Sequence, residues 1–203
     1  MNETYGSRHE LITEWLRILL IIHIASLLNS LISFLPISDT WAVWIGRAVM
    51  IGTIVCMFRM APVNSRYKKA AIYRTVMLCC TLITAYLFQS VVFTLAASVF
   101  SIMAVYQEFN GHSELVADKD PKLSGYWHGL FTWSVITVVL VSFGSVAATL
   151  LITMLDMDTV RTASMIVGIL RIPQFAVDVV YLLYLRKMMG IFRSQGERQR
   201  NDV

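Results

Sequence analysis

The feature that most constrains this chain is the alternation of long apolar runs with short segments that hold most of its lysines and arginines. Apolar runs cover residues near 18–35, 41–58, 75–106, 127–155 and 162–185. Each is long enough to cross a bilayer, which takes about 20 helical residues. Charged residues make up only 15% of the 203 residues, against about 25% in soluble domains. The sequence therefore predicts an all-α integral membrane protein.

The third apolar run decides how many spans there are. As one helix, residues 70–106 would be about 55 Å long, against a hydrocarbon core of about 30 Å. Two spans joined by a turn near Gln89 and Ser90 would fit. With two spans, thirteen of the fourteen basic residues in or close to the tails and connections fall on one side and only Arg161 falls on the other, whereas with one span they divide equally. The positive-inside tendency therefore predicts a six-span helical bundle built from three helical hairpins, with both termini cytoplasmic.

The same pattern sets the expected organisation of the chain. We expect a single transmembrane bundle over residues 1–185 and a basic, disordered cytoplasmic tail over residues 186–203. Whether the three hairpins are a true repeat stays open, because residue identity between them is low. The compact chain without added targeting segments indicates the cytoplasmic (plasma) membrane of a bacterium. The expected spans lie at about residues 12–35, 41–60, 70–88, 91–108, 127–155 and 161–185.

Several short patterns mark helix ends and membrane interfaces. Ser7 and Glu10 have the spacing of a capping box, while Asn64 and Asp120 are expected N-caps of the third and fifth spans. Residues 108–126 read as the one sizeable polar loop. Amphipathic aromatic rings are expected at both interfaces: Trp41 and Trp44 at the outer one, and Trp15, Trp127, Tyr181 and Tyr184 at the inner one.

The sixth span carries the strongest candidate site. A charge inside a span costs several kcal/mol unless it is paired, hydrated or able to reach the interface. Arg171 lies about 15 Å from either end of this span, and Gln174 and Asp178 follow on the same helix face. Pro173 removes one backbone hydrogen bond and is expected to kink the helix. The competing interpretation is that these polar residues only fix helix packing.

Two further arginines extend this candidate site. Arg47 lies about 9 Å inside the outer end of span two, and Arg74 about 6 Å inside the inner end of span three. If both turn inward with Arg171, three cations face Asp178 alone, which would suit an anion such as a carboxylate or a phosphate. The alternative is that Arg47 and Arg74 are interfacial anchors.

Other chemistry has weaker support in the sequence. Glu108 and His112 are weak metal candidates at i and i+4, but we expect Asn110 and Gly111 to break a helix there, and no metal site or other cofactor is predicted. His23, like Asn29 in the same span, is expected to make interhelical hydrogen bonds. The chain has no G-x-S-x-G or H-E-x-x-H motif, so no catalytic residue is assigned and a non-enzymatic role is favoured.

The functional hypothesis follows from these polar groups. We expect a small membrane protein that binds a small anionic or amphiphilic solute or passes it through the bundle interior. The alternative is a non-catalytic structural or regulatory subunit, such as an accessory, sensor or immunity protein. Membrane lipids are the expected partners, and a protein partner or a second copy stays open. Nucleic acid is excluded as a partner, because the basic residues flank membrane spans despite the net charge of +4.

Overall fold

The architecture is all-helical over the residues that the computed structural model describes, namely 3–32, 39–87, 91–155 and 159–201. Side chains are described over 10–31, 41–87, 92–140 and 172–197. This part of the chain contains six helices and no strand, which confirms that the protein is all-helical. The helices are α1 (Glu3–Ile32), α2 (Asp39–Met60), α3 (Ser65–Tyr86), α4 (Val91–Val116), α5 (Pro121–Leu155) and α6 (Thr159–Asn201).

The long third apolar run is two helices. Helix α3 ends at Tyr86 and α4 begins at Val91, so the run is divided into two helices, while the turn expected at Gln89 and Ser90 lies outside the described residues. Among the described residues, three helical segments are long and apolar enough to cross a membrane, in α1, α2 and α4. They are Glu10–Leu31, Trp41–Met60 and Val92–Val116.

Two of the three expected helix starts are confirmed. The Asn64 side chain accepts a hydrogen bond from the backbone N–H of Arg66 at 2.8 Å, and Asp120 Oδ1 accepts one from Leu123 at 2.9 Å. Both occupy backbone donors that a helix N-terminus leaves free. The expectation for Ser7 is wrong, because α1 begins at Glu3 and Ser7 lies inside the helix.

The polar loop expected at residues 108–126 is mostly helical. Helix α4 continues through Asn110 and Gly111 to Val116, and only residues 117–120 separate it from α5. Packing explains why Gly111 is tolerated, because a Cβ at this position would lie 3.0 Å from Cε1 of Tyr67 on α3. The missing side chain lets α3 and α4 approach closely, and this contact outweighs the low helix propensity of glycine.

The tail expected to be disordered continues α6. The helix extends from the sixth apolar run to Asn201. Leu185, Met188 and Phe192 are at most 1% exposed, so the first turns beyond the expected span belong to the core. The apolar stripe that they form at a helical spacing explains why this segment is ordered.

The helices form a closed ring whose core lies at one end. Each packs against its neighbours in the chain, and α6 packs against α1. Among the described side chains, which exclude residues 141–171, the buried ones come from the first halves of α1, α3 and α5 and the second halves of α2, α4 and α6, with Cys80 as the main exception. Trp127 and Tyr181, expected as interfacial rings, are instead buried in this core, whereas Trp41 and Trp44 are exposed as expected. We call the packed end of the ring the core end.

Candidate functional site: a buried ion pair and its hydrogen bonds

An ion pair between α3 and α4 is the centre of the core end. Arg74 Nη2 donates a hydrogen bond to Oε2 of Glu108. The Glu108 side chain is fully buried and that of Arg74 is 17% exposed. A buried carboxylate of this kind is costly unless its charge is paired and its oxygens are hydrogen-bonded. Arg74 provides the pairing.

The other carboxylate oxygen of Glu108, Oε1, accepts the last hydrogen bond of a chain in which each group donates to the next. Tyr181 on α6 donates to Oε1 at 2.6 Å. Its only hydroxyl hydrogen is then used, so His112 Nε2, 3.2 Å from Tyr181 Oη, must donate to it. In neutral His112 the other ring nitrogen accepts, and it lies 2.8 Å from Tyr67 Oη. The chain therefore runs from Tyr67 through His112 and Tyr181 to Glu108, and satisfies each of these groups.

A second histidine approaches the same carboxylate from α1. Nε2 of His23 lies 3.9 Å from Oε1 of Glu108, and its ring stacks on Tyr181 with 4.4 Å between centroids. The other ring nitrogen of His23 lies 2.9 Å from the backbone oxygen of Leu19. Four helices thus contribute to one cluster, which we call the Glu108 network: His23, Tyr67, Arg74, Glu108, His112 and Tyr181.

Within the described part of the chain, two buried N–H donors in and beside this cluster have no hydrogen-bond partner, Nε of Arg74 and Nε1 of Trp127. Trp127 packs on His112, with 4.6 Å between ring centroids. A buried donor without a partner costs about 1–3 kcal/mol. The core end therefore has hydrogen-bonding capacity that its own side chains do not use.

The candidate residues on α6 form a polar stripe that leads to the Glu108 network. Gln174 Nε2 donates to Oδ1 of Asp178 at 3.1 Å, and Thr137 of α5 donates to Oε1 of Gln174 at 3.0 Å. Asp178 and Tyr181 follow Gln174 at offsets of four and seven, which places all three on one face of α6. Gln174 lies about 10 Å along the helix from Tyr181. Pro173 lies within α6.

The three arginines of the predicted site have different positions. The side chain of Arg171 lies outside the described part of the chain. Arg74 belongs to the Glu108 network, so its charge is already paired. Arg47 donates to Tyr86 Oη and lies over the rings of Trp44 and Tyr86, at 4.9 and 4.8 Å. Since Tyr86 is about 18 Å along α3 from Arg74, the structure does not bring Arg47 and Arg74 together.

Glu108 and His112 lie close together, with 3.8 Å between Oε1 and Nε2, because α4 stays helical through the break expected at Asn110 and Gly111. The arrangement differs from a metal site, because Arg74 and Tyr181 occupy the carboxylate and two tyrosines occupy the imidazole. Within the described residues, no group of three or more His, Cys, Asp or Glu side chains is placed to hold a metal ion.

Sequence reasoning missed most of this cluster. His112 was assigned to a loop and Tyr181 to the membrane interface, so neither was expected in a buried site. Asn29 is confirmed as an interhelical residue, because its Nδ2 donates to the backbone oxygen of Ala42 on α2 at 3.1 Å. The sequence features that pointed to this cluster were the i, i+4 pair Glu108 and His112, together with His23 and Arg74 inside the expected spans.

A salt bridge joins α5 to α6 outside the expected spans. Nζ of Lys187 lies 2.8 Å from Oδ2 of Asp120, which also caps α5. The hydrogen bond from Lys187 lowers the pKa of Asp120 below its ordinary value, and the bond from the Leu123 backbone N–H acts in the same direction. Asp120 is therefore ionised at neutral pH and holds the start of α5 beside α6.

A shallow groove of about 670 Å³ runs along the outer surface of α5 and α6. Gly125 and Gly129 line it, and a Cβ at either position would meet nothing within 4 Å. Trp133, Pro173 and Tyr184 form part of its walls. The groove is apolar, which suits a surface that faces lipid chains.

Comparison with known proteins gives no match to this chain among protein-family models, curated proteins or solved structures.

Proposed function

We propose that this protein is a six-span bundle of the bacterial cytoplasmic membrane, with both termini cytoplasmic, that binds or passes a small anionic or amphiphilic solute through its interior. In this topology the core end lies on the cytoplasmic side. The observation that carries the proposal is the Glu108 network, because charged groups inside a membrane protein commonly belong to a solute or ion pathway.

The polar stripe of α6 supports a path to that network. Gln174 and Asp178 lie on the same helix face as Tyr181, whose hydroxyl contacts Glu108. By sequence spacing, Arg171 continues this face one turn further from the core end. In the proposal Arg171 contacts the anionic group of the solute and Gln174 orients it. Asp178 balances charge or carries a proton, and Pro173 opens the backbone. Arg74 contributes by separating from Glu108 and pairing with the anionic group of the solute instead. Arg47 remains a candidate contact at the end of the bundle opposite the core end.

Ligand-induced stabilisation tests this proposal. Purified protein in detergent is melted in the presence of a library of carboxylates, phosphates and anionic lipids, alongside an Arg171→Gln variant. A ligand at 100 times its Kd adds about 2.7 kcal/mol to the folded state. Stabilisation of the wild type but not of the variant supports the site, while equal stabilisation of both removes Arg171 from it.

Cysteine accessibility tests whether the stripe is hydrated. In a protein whose three native cysteines are replaced, Gln174→Cys should react with a small polar thiol reagent, because a reactive thiolate needs water. Leu183→Cys is the matched control on the same helix, since Leu183 is 57% exposed on an apolar surface and would face lipid. Equal, slow reaction at both positions would contradict a solute path along α6.

A structural or regulatory subunit is the second candidate function. One observation favours it: Glu108 is fully buried, and both of its oxygens are already hydrogen-bonded within the protein. Under this alternative the network only fixes the relative positions of α1, α3, α4 and α6. Gln174→Cys would then be inert and no library compound would stabilise the protein.

A further inference from the structure

One close approach within the Glu108 network, between Nε2 of His23 and Oε1 of Glu108, is not a hydrogen bond. A backbone oxygen only accepts hydrogen bonds, so Nδ1 of His23, 2.9 Å from the Leu19 oxygen, must carry the hydrogen. In the neutral ring Nε2 is then an acceptor without a hydrogen. It lies 3.9 Å from Oε1 of Glu108, which also only accepts. Two acceptors therefore point at the same region of the buried core.

His112 differs from His23 in this respect. Its Nε2–H donates to Tyr181 and its Nδ1 accepts from Tyr67, so both nitrogens of the neutral ring are satisfied. An added proton on His112 would require Tyr67 to reverse its hydrogen bond. An added proton on His23 would instead create a donor where none exists, opposite a carboxylate.

We propose that His23 is the proton-binding site of this protein, with Nε2 taking up a proton from solution and forming an ion pair with Glu108. No covalent bond other than N–H is made, and release returns the proton to solution. A small rotation of the ring or carboxylate would shorten the 3.9 Å separation to a hydrogen bond of about 2.8 Å.

The groups around His23 set the balance of this uptake. The charged and titratable side chains closest to His23 are Arg74 on α3 and Glu108 and His112 on α4. Tyr181 stacks on the ring from α6, and Tyr67 belongs to the same network from α3. From α2, the buried thiol of Cys56 interacts electrostatically with Glu108. Within this set, only Glu108 brings a negative charge close to Nε2.

Proton uptake would change the net charge of the network. Arg74 and Glu108 cancel, so protonated His23 leaves one net positive charge beside the polar stripe of α6. An anionic solute would be held more tightly in that state, and its release would be favoured once the proton leaves. The assignment of a coupling proton thus rests on the proposed function, whereas proton binding by His23 does not.

Nitrogen NMR of the histidine rings tests the proposal without any solute. Full-length protein labelled with ¹⁵N-histidine is placed in lipid nanodiscs and titrated from about pH 8 to about pH 5. We expect His23 to start with a hydrogen on Nδ1 only and to gain one on Nε2. If His23 keeps a single hydrogen throughout, the proposal is refuted.

Two charge variants on α4 sharpen this test. Glu108→Gln should weaken proton binding by His23 about tenfold to a thousandfold, because an opposite charge at this distance has an effect of that size. Glu114→Gln is the matched control, since Glu114 is exposed and pairs with Arg66 instead, and it should leave the His23 titration unchanged. Equal effects of the two variants would overturn the pairing with Glu108.

Tyr181→Phe covers the case in which Glu108→Gln does not fold. It keeps the carboxylate but removes the donor that competes for Oε1, so His23 should bind its proton more tightly, and weaker binding would contradict the proposal. The outcome is separable from that of the solute screen. If His23 binds a proton but no ligand stabilises the protein, the proposed solute binding is refuted. If a ligand stabilises the protein but His23 binds no proton, only the proposed proton binding is refuted.

Discussion

Removing one partner of the Arg74–Glu108 pair should destabilise the protein far more than removing both. Arg74→Met leaves a fully buried carboxylate with one hydrogen bond, from Tyr181. Glu108→Leu leaves a guanidinium that is mostly buried, although its 17% exposure gives it some access to water. Breaking a buried pair in this way costs about 3–5 kcal/mol, whereas replacing both charges by apolar groups is often neutral or stabilising.

The expected values form a double-mutant cycle. Each single variant should lose about 3–5 kcal/mol, with Arg74→Met at the upper end because its orphan charge is the more buried one. For a chain of this size that is a fall in Tm of about 6–20 °C. The double variant should melt above both single variants, which gives a coupling energy of about 3 kcal/mol or more.

Thermal unfolding in a mild detergent, followed by circular dichroism, measures this cycle. The exposed pair of Arg193 and Glu197 on α6, 3.0 Å apart and 75% and 65% exposed, is the matched control. Its coupling energy should be about 0.5 kcal/mol or less. If the costs of Arg74→Met and Glu108→Leu simply add, the two charges do not depend on each other and the reasoning about a buried pair is refuted.

Three further predictions follow from contacts around this pair. Tyr181→Phe removes a hydrogen bond to a buried carboxylate and should cost about 1.5–3 kcal/mol in the same melting assay, whereas a cost near zero would mean that Glu108 does not rely on it. Gly111→Val should be more destabilising than Gly111→Ala. Any Cβ at this position meets Tyr67 at 3.0 Å, and the branched side chain of valine leaves the Tyr67 ring less room to move away. Equal melting temperatures of the two variants would contradict close contact between α3 and α4. Because the pKa of Asp120 is lowered, its contact with Lys187 stabilises the protein above about pH 4, and this stabilisation is lost as the pH falls through the lowered pKa. The variant Asp120→Asn can still cap α5 but lacks the charge. It should therefore flatten the acid side of a plot of Tm against pH.

Local features of the fold were predictable from sequence because they depend on neighbouring residues. The caps at Asn64 and Asp120 need only the next few backbone N–H groups, and the division of residues 70–106 follows from length and charge. The same reasoning failed at Gly111, because its partner Tyr67 is 44 positions away along the chain. A helix-breaking signal was outweighed by a contact that no local pattern contains.

The Glu108 network could not be assembled from sequence for a related reason. Glu108 and His112 were identified as a pair from their spacing, but Tyr181 reaches them only because the ring of helices places α6 beside the end of α4. His23 joins only because α6 closes against α1. For Arg74 the sequence left open an anion contact and an interfacial anchor, and the structure pairs this arginine with a carboxylate of the protein itself.

The depth of the Glu108 network favours carrier-like passage over an open pore. Under the proposed function, a solute that follows α6 to Tyr181 meets a packed cytoplasmic end in which Trp127, Tyr67 and Glu108 are fully buried. To pass, it must separate a pair whose disruption costs about 3–5 kcal/mol, so the open state is about a hundredfold to several thousandfold rarer than the closed one. Proteoliposomes of the wild type should therefore show no steady anion conductance. Glu108→Leu, which removes the pair and leaves an orphan cation, should leak chloride. A leak of equal size through both proteins would place the barrier elsewhere in the bundle.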